Sequence, residues 1–162
     1  MREQQRIRLA SGIYETDHLD LDLILANTAT LKAHGAYERA LVRAFVHTNH
    51  AYWPLDALRD LFQRADRARL RAAGDPLPGR GPFTVYRGVA GCEPERRVRG
   101  LSWTESLDQA RWFAERFNLP DPGVYRATVE ASHVLAYVSW KEEAEFIVML
   151  PDEVRLQRLR LR

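Results

Sequence analysis

The chain is poor in several kinds of residue, and each shortage removes a class of protein. Its single cysteine, Cys92, rules out an intrachain disulfide framework and a multi-cysteine zinc site. Unbroken apolar stretches run only a few residues, far short of the roughly 20 that span a bilayer as a helix. The opening segment MREQQRIRLASG is basic but has no apolar run behind it. It shows no secretory signal pattern, and the expected compartment is the cytoplasm, with no membrane partner. Lysine is almost missing: of 24 cationic side chains, all but Lys32 and Lys141 are arginine.

What remains is the composition of an ordinary globular domain. With 162 residues, 46% of them apolar and 28% charged, the chain is expected to form one compact domain around a core. That excludes a disordered tail, a collagen-like fibre and a coiled coil. Net charge is only +2, yet residues 59–99 hold ten arginines against five acids. A GC-rich coding genome accounts for the arginine usage by itself. The local excess would also attract an anion such as nucleic acid, an acidic protein or a dinucleotide. No interleaved aromatics or groove-reading helix accompany it, so a nucleic-acid partner rests on charge alone.

The first half reads as helical. Apolar residues across 19–31 predict one helix, with Asp17 as its N-cap, and a second is predicted over about 37–52. Pro54 suits the first turn of a third helix running to about residue 73. The segment 74–82 packs three glycines and three prolines into nine residues, which marks a loop and the best internal boundary. Beyond it the texture changes. Residues 83–89 read as a strand. Ser106 and Gln109 form a capping box for a helix whose Ala110, Phe113, Ala114 and Phe117 share one apolar face. Strands are predicted at 124–130, 133–139 and 145–150, and the arginine-rich tail 153–162 suits an edge strand. The expected fold is α+β, a single domain comprising a helical region 1–73, a loop 74–82 and a β-rich core 83–162.

Three polar landmarks interrupt that core. Tyr86-Arg87-Gly88 places an arginine inside a strand. Its fork suits a diphosphate, and the glycine admits a ligand or a neighbouring backbone; a surface arginine at a strand end reads equally from this tripeptide. Ser102-Trp103-Thr104 sets two hydroxyls around an indole just before the capped helix. They could orient a carboxylate or a sugar hydroxyl, or serve only as local caps, and Trp103 could bound a pocket or pack in the core. Glu143 and Glu145 share one strand face at the start of an apolar run. Two such carboxylates call for a compensating cation or a ligand with developing positive charge; the alternative is a solvated turn.

In their order along the chain, these segments resemble the arginine–serine–glutamate class of mono-ADP-ribosyltransferases, which includes the clostridial and cholera-type toxins and many phage and bacterial effectors. Tyr86-Arg87-Gly88 resembles the first-strand motif of that family. Ser102-Trp103-Thr104 with Ala110 and Phe113 behind it resembles the serine–threonine–serine strand, and Glu143-Ala144-Glu145 the paired glutamates. The resemblance covers about residues 83–150. It implies two packed, mostly antiparallel sheets that pinch NAD, a co-substrate, between them with no metal. It also implies NAD contacts at Arg87, Gly88, Ser102, Trp103, Thr104 and Phe113. Catalysis would fall to Glu145, oriented by Ser102, with Glu143 and Trp140 meeting a protein acceptor whose modified residue is arginine. Water as acceptor would make the protein an NAD glycohydrolase, and a chain that kept only the fold would be a binding module that blocks a partner. Other pairings, His47 with His50 and Cys92 with His133, lack the further residues that a zinc or thiol site requires.

Overall fold

The computed structural model describes residues 9–10, 13–14, 20–47, 53–139 and 144–161. Asp17, His50, Trp140 and Glu143 lie outside them. The chain divides into two compact units, Met1–Ala73 and Gly74–Arg162, at the junction where the glycine- and proline-rich loop begins.

The first unit carries a short antiparallel ribbon, β1 (Leu9–Ala10) with β2 (Ile13–Tyr14), and helices α1 (Leu21–Ala26), α2 (Thr28–Ala33), α3 (Tyr37–His47), α4 (Leu55–Gln63) and α5 (Arg67–Ala73). The expected helix over 19–31 is therefore two helices. Asp20 caps the first, its Oδ1 accepting from the Leu23 amide at 2.8 Å, and Asn27 ends it by donating Nδ2 to the Leu23 carbonyl at 2.9 Å. The helix expected over 54–73 is likewise interrupted. Asp66 starts a new one by accepting from the Arg69 amide at 2.9 Å, while its own amide donates to Glu38 Oε1 at 2.8 Å. A side-chain oxygen in reach of the backbone favours a cap over continued helix. Tyr37 ties α3 to α4 by donating its hydroxyl to the Leu61 carbonyl at 2.6 Å, and burial pushes that phenol up to about 12.

The second unit is built from two three-stranded antiparallel sheets. One joins β3 (Phe83–Val89), β5 (Gly123–Val129) and β8 (Gln157–Leu159), in the order β3-β5-β8. The other joins β4 (Ser102–Trp103), β6 (Val134–Val138) and β7 (Glu145–Val148), in the order β4-β7-β6. Strand alternation supplies the core between them: Phe83, Val85, Ala127 and Val129 from the first sheet meet Trp103, Val134, Tyr137, Phe146 and Val148 from the second. The arginine-bearing tail forms the edge strand β8, and the chain is α+β as its patterning implied.

Helix α6 (Leu107–Glu115) lies against the first sheet. Ser106 caps it by accepting from the Gln109 amide at 3.2 Å. Ala110 and Ala114 are its buried residues, and Gly88 lets them approach: a Cβ there would collide with the Ala110 carbonyl and stand 2.8 Å from the Ala114 amide nitrogen. The periodicity misplaced Phe117. The helix ends at Glu115, and Phe117 is 67% exposed, its ring under the Arg116 guanidinium at 4.4 Å.

The segment opening this unit is pinned along β6. The Asp75 amide donates to the Tyr137 carbonyl at 2.7 Å, and its carboxylate accepts from the Ser139 amide at 2.7 Å and hydroxyl at 2.6 Å. Those bonds to the charged form hold the Asp75 carboxyl below its ordinary value.

Two outcomes are expected. Gly88→Ala must shift backbone and not merely a side chain, so urea unfolding should show a loss of about 1–3 kcal/mol. Because the folded pKa of Asp75 is depressed, its contribution is present above the ordinary value of 3.8 and is lost as pH falls through the folded value. Asp75→Asn should accordingly be less stable than wild type near neutrality, and the gap should close in acid unfolding series taken below that pH.

Candidate functional site

Among the described residues, one isolated backbone bridge joins the two sheets. Tyr86 of β3 donates to the Thr104 carbonyl at 2.6 Å, and the Thr104 amide donates back to the Tyr86 carbonyl at 2.9 Å. Thr104 directly follows β4, so the bridge brings the end of β4 against β3, with Arg87 following Tyr86 on one side and Ser102 two residues before Thr104 on the other.

Arg87 falls on the same face of β3 as the core residues Phe83 and Val85. Its Nη1 donates to the Ser102 carbonyl at 2.8 Å and its Nε to the Arg97 carbonyl at 2.6 Å. Part of the side chain stays exposed, yet enough protein surrounds the guanidinium to lower its pKa to about 10. Desolvation is the main cause and neighbouring Arg97 adds to it, while Glu145 opposes both. Arg87 thus remains a cation at neutral pH. Of the five N–H groups of a guanidinium, these two bonds occupy two.

Ser102 makes the second connection. Its hydroxyl donates to Glu145 Oε1 at 2.5 Å, spanning 43 residues of sequence. Glu145 is the first residue of β7, paired with Val138, and Ser102 lies opposite Ile147 in the same sheet. The carboxylate is thereby half-buried at the end of an apolar strand and held by a hydroxyl on the adjacent strand. A carboxylate fixed in this way beside a permanent cation can stabilise positive charge developing on a bound molecule, while the arginine receives an anionic group.

The other residues singled out in the sequence have different places. Trp103 is 1% exposed within the core, and its indole donates to the Gly100 carbonyl at 2.8 Å. Of the two places open to this indole, pocket wall or core, it takes the core. Gly88 makes room for α6 rather than for a ligand. Thr104 is buried, and its Oγ1 accepts from the Ser106 amide at 3.1 Å, the local capping role of a hydroxyl before a helix. Phe113 is half-buried on α6, 4.7 Å below the Arg116 guanidinium and 5.1 Å from the Trp112 ring. Glu143 and Trp140 fall outside the described residues. Among the described residues, no group of three His, Cys, Asp or Glu is arranged to hold a metal ion, and no helix is long and apolar enough to cross a membrane.

Two participants were missed in the sequence. The Arg97 carbonyl holds Arg87, and a backbone acceptor leaves no trace in residue type. Gly100 lies against the Arg87 guanidinium, and the signal available was the glycine two residues before Ser102. No protein-family model, curated protein or solved structure matches the chain.

The link between Ser102 and Glu145 is open to direct measurement. A double-mutant cycle of Ser102→Ala and Glu145→Gln, followed by urea unfolding, should give a favourable coupling of about 1–3 kcal/mol. Strict additivity of the two substitutions would show that the hydroxyl does not hold the carboxylate.

Proposed function

We propose that the protein is a mono-ADP-ribosyltransferase that takes ADP-ribose from NAD and places it on a protein side chain, arginine being the favoured acceptor. The observation that carries this reading is the convergence of Arg87, Ser102 and Glu145, which lie far apart in sequence, into one bonded group. The motifs of the sequence supply the same three residues in the same order.

The reaction breaks the bond between the nicotinamide nitrogen and the ribose anomeric carbon. Nicotinamide departs with the bonding electron pair, and positive charge builds on the sugar. The Glu145 carboxylate faces that charge and stabilises it. Ser102 fixes the orientation of the carboxylate, so little reorganisation is needed as the charge appears. The Arg87 guanidinium, still charged at neutral pH, receives the diphosphate and aligns the scissile bond. A nitrogen of the acceptor guanidinium then bonds to the anomeric carbon and gives up a proton, a task this reading assigns to Glu143. Trp140, three residues earlier, serves as the acceptor contact.

Incubating wild type or Glu145→Gln with labelled NAD in a bacterial lysate tests the proposal. Wild type should label a discrete protein, and Glu145→Gln should lower the rate at least about 100-fold. Free ADP-ribose with no labelled protein would make water the acceptor and the protein a glycohydrolase. No turnover of NAD by wild type would overturn the enzymatic reading.

A further inference from the structure

Gly100 is buried, and its backbone is not in the left-handed region where glycine is needed: the positive-φ glycines among the described residues are Gly35, Gly79, Gly81 and Gly91. Alanine could adopt this conformation. Space is the constraint. A Cβ at Gly100 would stand 2.5 Å from Arg87 Cζ and 2.8 Å from Arg87 Nε, distances at which something must move.

The backbone is poorly placed to do so. The Gly100 amide donates to the Arg97 carbonyl at 3.1 Å, and its carbonyl accepts from Trp103 Nε1 at 2.8 Å. The same Arg97 oxygen holds Arg87 Nε at 2.6 Å. Behind this turn the loop is fastened twice. Arg96 is ion-paired with Asp121 at 3.2 Å, and Arg99 donates to the Pro151 carbonyl at 2.6 Å and to the Val154 carbonyl at 3.0 Å. The guanidinium, at the end of a flexible side chain, is the part free to yield.

We propose that Gly100 is a positioning residue for Arg87: its bare Cα is the surface on which the guanidinium rests, and a methyl group there unseats Arg87 from the Arg97 and Ser102 carbonyls. The requirement for glycine at position 100 lies in the arginine side chain and not in the local backbone.

Urea unfolding of wild type, Gly100→Ala, Arg87→Ala and the double variant tests this without reference to activity. Gly100→Ala should lower the unfolding midpoint in the wild-type background and leave it unchanged once Arg87 is shortened. An equal loss in both backgrounds overturns the proposal. If Gly100→Ala fails to fold, the double variant should fold, and failure of both while Arg87→Ala folds also overturns it. The Arg87 Nε–H proton, followed by NMR in ¹⁵N-arginine protein, should exchange slowly in wild type and rapidly in Gly100→Ala; unchanged slow exchange counts against the idea. A last arm rests on the NAD reading above. There Gly100→Ala should raise KM for NAD about tenfold, as expected for loss of a charged hydrogen-bonding contact, with a smaller effect on kcat and none beyond that of Arg87→Ala in the double variant. A wild type that does not use NAD would remove that reading, while the unfolding cycle and proton exchange still decide the role of Gly100.

Discussion

Two backbone hydrogen bonds between Tyr86 and Thr104 hold the second unit in its arrangement, because they are where a strand of one sheet meets the chain leaving a strand of the other. Backbone pairing fixes register to the residue. With Tyr86 opposite Thr104, β3 and β4 lie close enough for the Arg87 side chain to reach the Ser102 carbonyl, and the pairing of β4 with β7 brings Ser102 within reach of Glu145. The core residues Phe83, Val85, Trp103 and Phe146 lie on the same strands. The site and the core therefore depend on one set of pairings, and slipping any strand by a residue would disturb both.

The polar group survives at this junction because its members satisfy one another. A guanidinium drawn out of water is destabilised, and the depressed pKa of Arg87 records that. Two carbonyl acceptors on the neighbouring loop and strand offset the loss, and a nearby carboxylate favours the charged form. Removing one member weakens the setting of the others, because bonds in one network support one another.

Much of the second unit could be read from residue order. The alternation in β3, the Ser106 cap and the apolar run after Glu145 are local signals, and each strand or helix they mark is present. The three polar landmarks were legible because arginine, serine and glutamate are unusual at the positions where strands enter a core. What could not be read was geometry carried by backbone atoms or by packing at a distance. Trp103 and Thr104 looked like ligand contacts because an indole and a hydroxyl serve equally well in a pocket, a core or a cap, and only pairing decides which. Phe117 followed the period of α6 but lies beyond its last turn. In the first unit the hydrophobic period ran unbroken through 19–31 and 54–73, while Asn27 and Asp66 end and restart helices with side-chain oxygens and amides that a period cannot register.

The strands of the two sheets alternate along the chain: β3 belongs to one, β4 to the other, β5 to the first again, then β6 and β7, and finally β8. Among the described residues of this unit, β6 and β7 alone are both neighbours in sequence and partners in a sheet. Every other pairing closes a long loop before any contact rewards it, and such topologies fold late and as a whole. Ser102 and Glu145 meet across 43 residues, so the site forms only when β4 and β7 are both available to pair. Whatever chemistry this group performs therefore waits on the pairing of β7 with β4.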